Sequence, residues 1–169
     1  IERDGLDAVA DVVELQSGID GTATDAHETL AAADAVINLR YDLDAAAIDA
    51  LADCRVVARY GIGVDNIDVE AASARGIPVT NVPEYCTEEV SVHALTMYLA
   101  LARGLGKYDE DVAAGGWDRG VATPIHRLST RTVGVVGYGA IGRAVGQRAA
   151  ALGADVVASD PFLTDDDVA

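Results

Sequence analysis

Lysine is nearly missing from this chain. Of its 12 basic residues only Lys107 is a lysine and the rest are arginines, against 28 acids. The resulting formal net charge of −16 disfavours nucleic acid and anionic membrane as partners, since both would be repelled. The acids are dispersed (Asp4, Asp20, Asp44, Asp65, Glu88, Asp109), so no acidic tail accounts for them. Dispersed acidity with almost no lysine resembles proteins of salt-loving organisms, where high ionic strength screens self-repulsion, and a halophilic source is the expectation. Cysteine is scarce as well. Cys54 and Cys86 stand far apart, with no CxxC and no clustered histidine. That pattern supports neither a disulfide scaffold nor a metal site, and it fits a reducing cytoplasm. No apolar run approaches the roughly 18 residues a membrane-spanning helix needs, and no signal-peptide pattern opens the chain.

What the chain does have is apolar content, 50% of its residues, which is enough for a core and argues against general disorder. Short runs rich in β-branched residues, at 11–15, 35–39, 55–58, 77–80, 132–136 and 155–158, read as strands. Ala- and acid-rich stretches at 25–33, 45–51 and 69–74 read as helices, the first opened by Asp25 with Glu28 three positions on, as in a capping box. A longer helix is predicted over 87–103 and a second piece over 108–114, followed by the turn Gly115-Gly116-Trp117. Strand–helix alternation predicts an α/β protein with parallel sheets. The first strands form one group and the strand at 132 opens another, so the domains are drawn as 1–98 and 99–169, with the long helix as the bridge.

The strongest motif follows that later strand. Thr132-Val133-Gly134-Val135-Val136 leads into Gly137-Tyr138-Gly139-Ala140-Ile141-Gly142, a Gly-x-Gly-x-x-Gly turn, then a helix and a second strand ending in Asp160. Each glycine has a distinct physical task. Gly137 permits the tight turn, Gly139 lets backbone approach a pyrophosphate, and Gly142 lets the helix pack on the sheet. The helix N-terminus offers free N–H groups and partial positive charge to phosphates. Asp160, 18 positions after Gly142, can accept hydrogen bonds from an adenosine ribose. A carboxylate there repels a 2′-phosphate, and the next residue is Pro161 rather than an arginine, so NAD is expected over NADP.

Two more segments are distinctive: Val56 to Asp68, which contains Arg59-Tyr60-Gly61-Ile62-Gly63-Val64-Asp65-Asn66, and Gly76 to Ala94, which contains Asn81-Val82-Pro83 and His93. Gly61-Ile62-Gly63 after a strand reads as a loop at a carboxyl edge, whose successive N–H groups could hold a carboxylate. Asp65-Asn66 reads as a helix cap and Asn81-Val82-Pro83 as a rigid turn. Arg59 fits either an anionic substrate or a salt bridge, and His93 and Trp117 fit packing roles.

Taken in order and spacing, the three segments resemble the D-isomer-specific 2-hydroxyacid dehydrogenases, in particular the phosphoglycerate dehydrogenase and C-terminal-binding-protein branches. The resemblance implies a flavodoxin-like substrate domain and the first half of a Rossmann dinucleotide-binding domain. It implies NAD as cofactor, bound by Ile62, Gly137, Tyr138, Gly139, Ala140, Ile141, Gly142 and Asp160. It also implies a 2-hydroxy or 2-keto acid substrate facing Gly61, Ile62 and Gly63, and a homodimeric parent. The family's catalytic Arg, Glu and His lie farther along than this chain extends, and none of His27, His93 or His126 matches that histidine. The resemblance therefore implies an internal fragment, without the first strand of the substrate domain and without catalytic residues, which alone turns over nothing. Two alternatives stay open: a non-catalytic NAD-sensing interaction protein of the C-terminal-binding-protein type, and a related enzyme such as a formate dehydrogenase.

Overall fold

The computed structural model describes residues 2–15 and 26–163. These divide into two units, Ile1–Tyr85 and Cys86–Ala169, each α/β with its own parallel sheet.

The first unit contains α1 (Glu2–Leu6), α2 (Ala26–Ala31), β1 (Val36–Asn38), α3 (Ala45–Ala50), β2 (Val57–Arg59), α4 (Val69–Ala74) and β3 (Val79–Thr80). Its three strands lie in the order β1-β2-β3, with Val36 opposite Val57 and Val57 opposite Val79. Aspartates start the helices after β1 and β2: the Ala47 N–H donates to Asp44 Oδ1 at 2.8 Å and the Ala71 N–H to Asp68 Oδ1 at 2.9 Å. Helices α3 and α4 bury Ile48 and Ala72 in a core shared with Leu43, Leu51 and Val57, all almost fully excluded from solvent. Burying a side chain of this kind contributes about 1.5–3 kcal/mol.

Two expectations change here. Residues 11–15 form no strand, and Val13 is 69% exposed. A strand exists only as part of a ladder, and no described strand pairs with this run, so its apolar character alone does not make it one. The cap of α4 is Asp68 rather than Asp65-Asn66. Asn66 instead donates from Nδ2 to the Tyr41 carbonyl at 2.9 Å, tying this loop to the one before α3. Asp25, read as the cap of α2, lies outside the described residues.

The second unit contains α5 (Thr87–Ala102), α6 (Leu105–Ala113), a 3-10 turn (Leu128–Thr130), β4 (Thr132–Val136), α7 (Ala140–Ala151) and β5 (Asp155–Ser159). Strands β4 and β5 pair in parallel from Thr132 opposite Asp155 to Val136 opposite Ser159. Helix α7 packs on both strands and on α5. That contact puts the whole of α5 in the second unit, whose first residue is Cys86, whereas the sequence placed the division near Leu99. Trp117 is 84% exposed rather than a packing anchor. Its turn is held from below by polar bonds: the Asp118 N–H donates to Asp111 Oδ2 at 2.9 Å and the Tyr108 hydroxyl to the Arg119 carbonyl at 3.0 Å. Among the described residues no helix is long and apolar enough to cross a membrane.

Candidate functional site

In each unit a glycine-containing loop lies at the carboxyl edge of the parallel sheet, the position where open α/β sheets bind ligands.

In the first unit the loop follows β2, the central strand. Its backbone carbonyls are engaged in sequence. The Tyr60 carbonyl accepts from Arg59 Nη1 at 3.1 Å, Gly61 from the Val82 N–H at 2.9 Å, Ile62 from Asn81 Nδ2 at 2.8 Å, and Gly63 from Arg59 Nε at 2.9 Å. A peptide is planar, with its C=O and N–H pointing opposite ways. Carbonyls drawn to these donors therefore turn the N–H groups of Gly61, Ile62 and Gly63 the other way. Among the described residues none of those three N–H groups has an acceptor. The Ile62 side chain is exposed beside them. Arg59 and Asp65 flank the loop: a methyl group at Gly61 would sit 3.0 Å from Arg59 Nη1, and one at Gly63 would sit 2.9 Å from Asp65 Oδ2.

The sequence did not anticipate that Arg59 and Asn81 hold this loop. Arg59 donates from Nε and Nη1 to backbone carbonyls of its own loop. Asn81 donates across to Ile62 rather than only shaping its own turn.

In the second unit the loop runs from β4 into α7. Gly137 has φ +85°, a left-handed conformation that disfavours any side chain, and its N–H donates to the Ser159 carbonyl at 2.9 Å. Gly142 is required for packing, since a Cβ there would collide with the Gly137 carbonyl oxygen and press Val135 Cγ1 at 3.3 Å. Gly139 is different. Its φ of −71° and ψ of −160° suit any residue, and a methyl group there would meet no atom of the described residues within 4 Å. Nothing inside the fold demands a glycine at this position. It is also the N-cap of α7 and places no side chain over the helix end, so the first-turn N–H groups, including those of Ala140, Ile141 and Gly142, keep no intrahelical acceptor.

Asp160 closes this loop. Its Oδ2 accepts from the Tyr138 N–H at 2.6 Å and its Oδ1 from the Phe162 N–H at 2.9 Å. The Phe162 bond, then the Tyr138 bond, hold its carboxyl below the ordinary carboxylate range against an opposing desolvation, with a lesser lowering from the Arg143 charge. Tyr138 contributes its backbone here, because its ring packs along α7 with the Arg143 guanidinium 5.2 Å from the ring centre. A methyl at Gly146 would sit 3.0 Å from that ring.

Neither His93 nor His126 is placed in an acid–base site among the described residues. His93 is exposed on α5 rather than packed, and His126 is exposed in the stretch before β4. Among the described residues no three His, Cys, Asp or Glu side chains gather as metal ligands would.

Residues 2–166 match the family model of the D-isomer specific 2-hydroxyacid dehydrogenase catalytic domain. The chain is 39% identical over 161 residues to a D-3-phosphoglycerate dehydrogenase of Mycobacterium tuberculosis, covering 93% of this chain and 30% of that protein. It is 45% identical over 101 residues to a glyoxylate reductase of Pyrococcus furiosus, covering 56% of this chain and 30% of that one. Among solved structures, the D-lactate dehydrogenase of Aquifex aeolicus complexed with NAD and lactic acid superposes with a TM-score of 0.74 at 26% identity, over 83% of this chain and 42% of that one. The chain thus spans under half the length of each of these proteins.

Proposed function

The chain belongs to the D-isomer specific 2-hydroxyacid dehydrogenase family, and on that premise we propose that it supplies the cofactor grip and part of the substrate cradle of an NAD-dependent oxidoreductase acting between a 2-hydroxy and a 2-keto acid. Bound NAD(H) would carry the hydride. Gly139 leaves the space through which its pyrophosphate reaches the free N–H groups of α7. Ala140, Ile141 and Gly142 present those groups, and Gly137 and Tyr138 shape the approach. Asp160 accepts from the adenosine ribose hydroxyls. On the first unit, the N–H groups of Gly61, Ile62 and Gly63 hold the substrate carboxylate, with the Ile62 side chain against the cofactor.

The observation that carries this reading is the glycine at position 139, which the fold itself does not need. A dinucleotide pressed against the helix end accounts for it. The test is NADH oxidation by the full-length protein with glyoxylate, pyruvate and phosphohydroxypyruvate in turn. Turnover of at least one, with NADH preferred to NADPH, is expected. No turnover of any, or a preference for NADPH, counts against the proposal.

Asp160 gives a separate prediction. Asp160→Asn keeps an acceptor and removes the charge, so discrimination against NADPH should shrink about tenfold or more. Because the carboxyl is held below its ordinary range, it is ionised throughout the neutral region. NAD affinity should therefore not vary with this group near pH 7, and its contribution should be lost only as pH falls through the depressed pKa, on the acid side of the ordinary carboxylate range. Titrating NAD by calorimetry at several pH values checks this; a midpoint near neutrality would assign the loss to another group.

A further inference from the structure

Resting on the reading of residues 61–63 as a carboxylate cradle, we propose that Arg59 is a positioning residue for that cradle and not a ligand of the substrate anion. Four consecutive carbonyls, those of Tyr60, Gly61, Ile62 and Gly63, are drawn to donors within the unit, and Arg59 supplies the first and the last. Asn81 and Val82 supply the two between. The guanidinium therefore clamps the loop at both ends. The same Nη1 lies 3.5 Å from the Asn38 carbonyl at the end of β1, which ties the clamp to the neighbouring strand.

Three features make arginine the residue for this task. The three peptide planes that carry the N–H groups of Gly61, Ile62 and Gly63, and the plane that follows them, are each held through a carbonyl, and bonds at both ends of the run limit its rotation more than a bond at one. The two end carbonyls are met by different nitrogens, Nε and Nη1, held in one rigid plane; a lysine has a single nitrogen and cannot span them. The guanidinium also needs room beside Gly61, where an added methyl would sit 3.0 Å from Nη1 and 3.2 Å from Cζ. Gly61 and Arg59 are thus one device: the absent side chain at 61 seats the guanidinium, which orients the Gly61 N–H through the Tyr60 carbonyl and fixes the far end of the loop through the Gly63 carbonyl, while Val82 and Asn81 orient the N–H groups of Ile62 and Gly63 between them. Arg59 acts on the substrate through the backbone.

A direct ligand and a positioning residue differ in what they sense. A guanidinium paired with a substrate phosphate would matter for a phosphorylated 2-keto acid and little for glyoxylate. A clamp on the N–H cradle matters equally for both, since both present the same 2-keto carboxylate. In the full-length protein, Arg59→Lys should raise KM about tenfold or more, by the same factor for glyoxylate and phosphohydroxypyruvate, with the NADH dissociation constant unchanged. Ile62→Pro, which deletes one cradle N–H, is measured alongside. A loss confined to phosphohydroxypyruvate overturns the proposal in favour of direct contact. An unchanged KM in Arg59→Lys beside a raised KM in Ile62→Pro overturns the clamp and leaves the cradle standing. If neither variant moves KM, the cradle itself fails. Should Arg59→Lys not fold, Gly61→Ala, which displaces the guanidinium without removing it, must show the same equal rise, and an unchanged KM there overturns the proposal.

Discussion

Replacing Gly139 by aspartate is expected to leave the unliganded fold at least as stable as before while abolishing NAD binding. The two effects have opposite signs because position 139 is an N-cap in open space. Its backbone angles are extended and a Cβ there meets nothing, so the side chain enters without strain. An aspartate at an N-cap accepts from the first-turn N–H groups and complements the helix dipole, an effect of up to about 1 kcal/mol. The same carboxylate occupies the place proposed for the pyrophosphate and opposes its charge. Loss of the helix-end contacts together with repulsion should weaken NAD by about a thousandfold or more, which is about 4 kcal/mol. Thermal melts of the full-length protein with and without NAD read both effects at once. The wild-type midpoint should rise with saturating NAD, and the variant's should start no lower and not move. Gly142→Ala is the contrasting control. Its Cβ strikes the Gly137 carbonyl oxygen, so it should lower the midpoint even without ligand, by the roughly 1–3 kcal/mol of an overpacked site. A Gly139→Asp protein that still shifts its midpoint with NAD would sink the assignment of this loop.

The contrast between those two glycines also shows what can be read from residues alone. The strand, the turn and the helix at 132–151 were legible because their determinants are local: a β-branched run, a φ of +85° at Gly137, and a close approach between residues five apart. The α/β class and the parallel sheets followed from alternation for the same reason. Bonds between distant residues left no such trace. Tyr138 donates to Asp160 across 22 positions, Asn81 to Ile62 across 19, and Asn66 to Tyr41 across 25. Each of these side chains was noticed, but its partner is set by how the strands lie side by side, and no spacing encodes that. Arg59 shows the reverse case, since its partners are its near neighbours Tyr60 and Gly63. A charged residue beside two glycines invites a ligand, and only the folded geometry shows the side chain curled back onto its own loop. The run at 11–15 misled for a third reason. Apolar composition measures what could be buried, whereas a strand needs a neighbouring ladder as well.

The charge carries the last prediction, and its effect should be as large as that of any substitution. With 28 acids and 12 bases, pairing every base with an acid still leaves 16 carboxylates without a cation. Some of the arginines are engaged otherwise: Arg59 donates to backbone carbonyls, and Arg75, which approaches Asp49 at 3.6 Å, also donates to the carbonyls of Asp49 and Leu51. The excess negative charge must therefore be balanced from solution. At low salt the screening length is about 30 Å at 0.01 M, so carboxylates across a whole unit repel one another; near 1 M it is about 3 Å and only immediate neighbours do. We propose on this ground that the protein is adapted to high salt. Its thermal midpoint in full-length form should rise by about 10 °C or more between dilute buffer and molar KCl, which at about 2–4 °C per kcal/mol reflects on the order of 3–5 kcal/mol of relieved repulsion. The rise should be steep below a few tenths molar, where the screening length changes fastest, and then flatten. Titrating the carboxylates is the independent check. Lowering the pH towards 4 in dilute buffer removes the same repulsion, so it should recover part of the stability that salt supplies at pH 7. A midpoint indifferent to both salt and mild acid would mean that the acids are accommodated pair by pair in the fold, and the adaptation to salt would have to be given up.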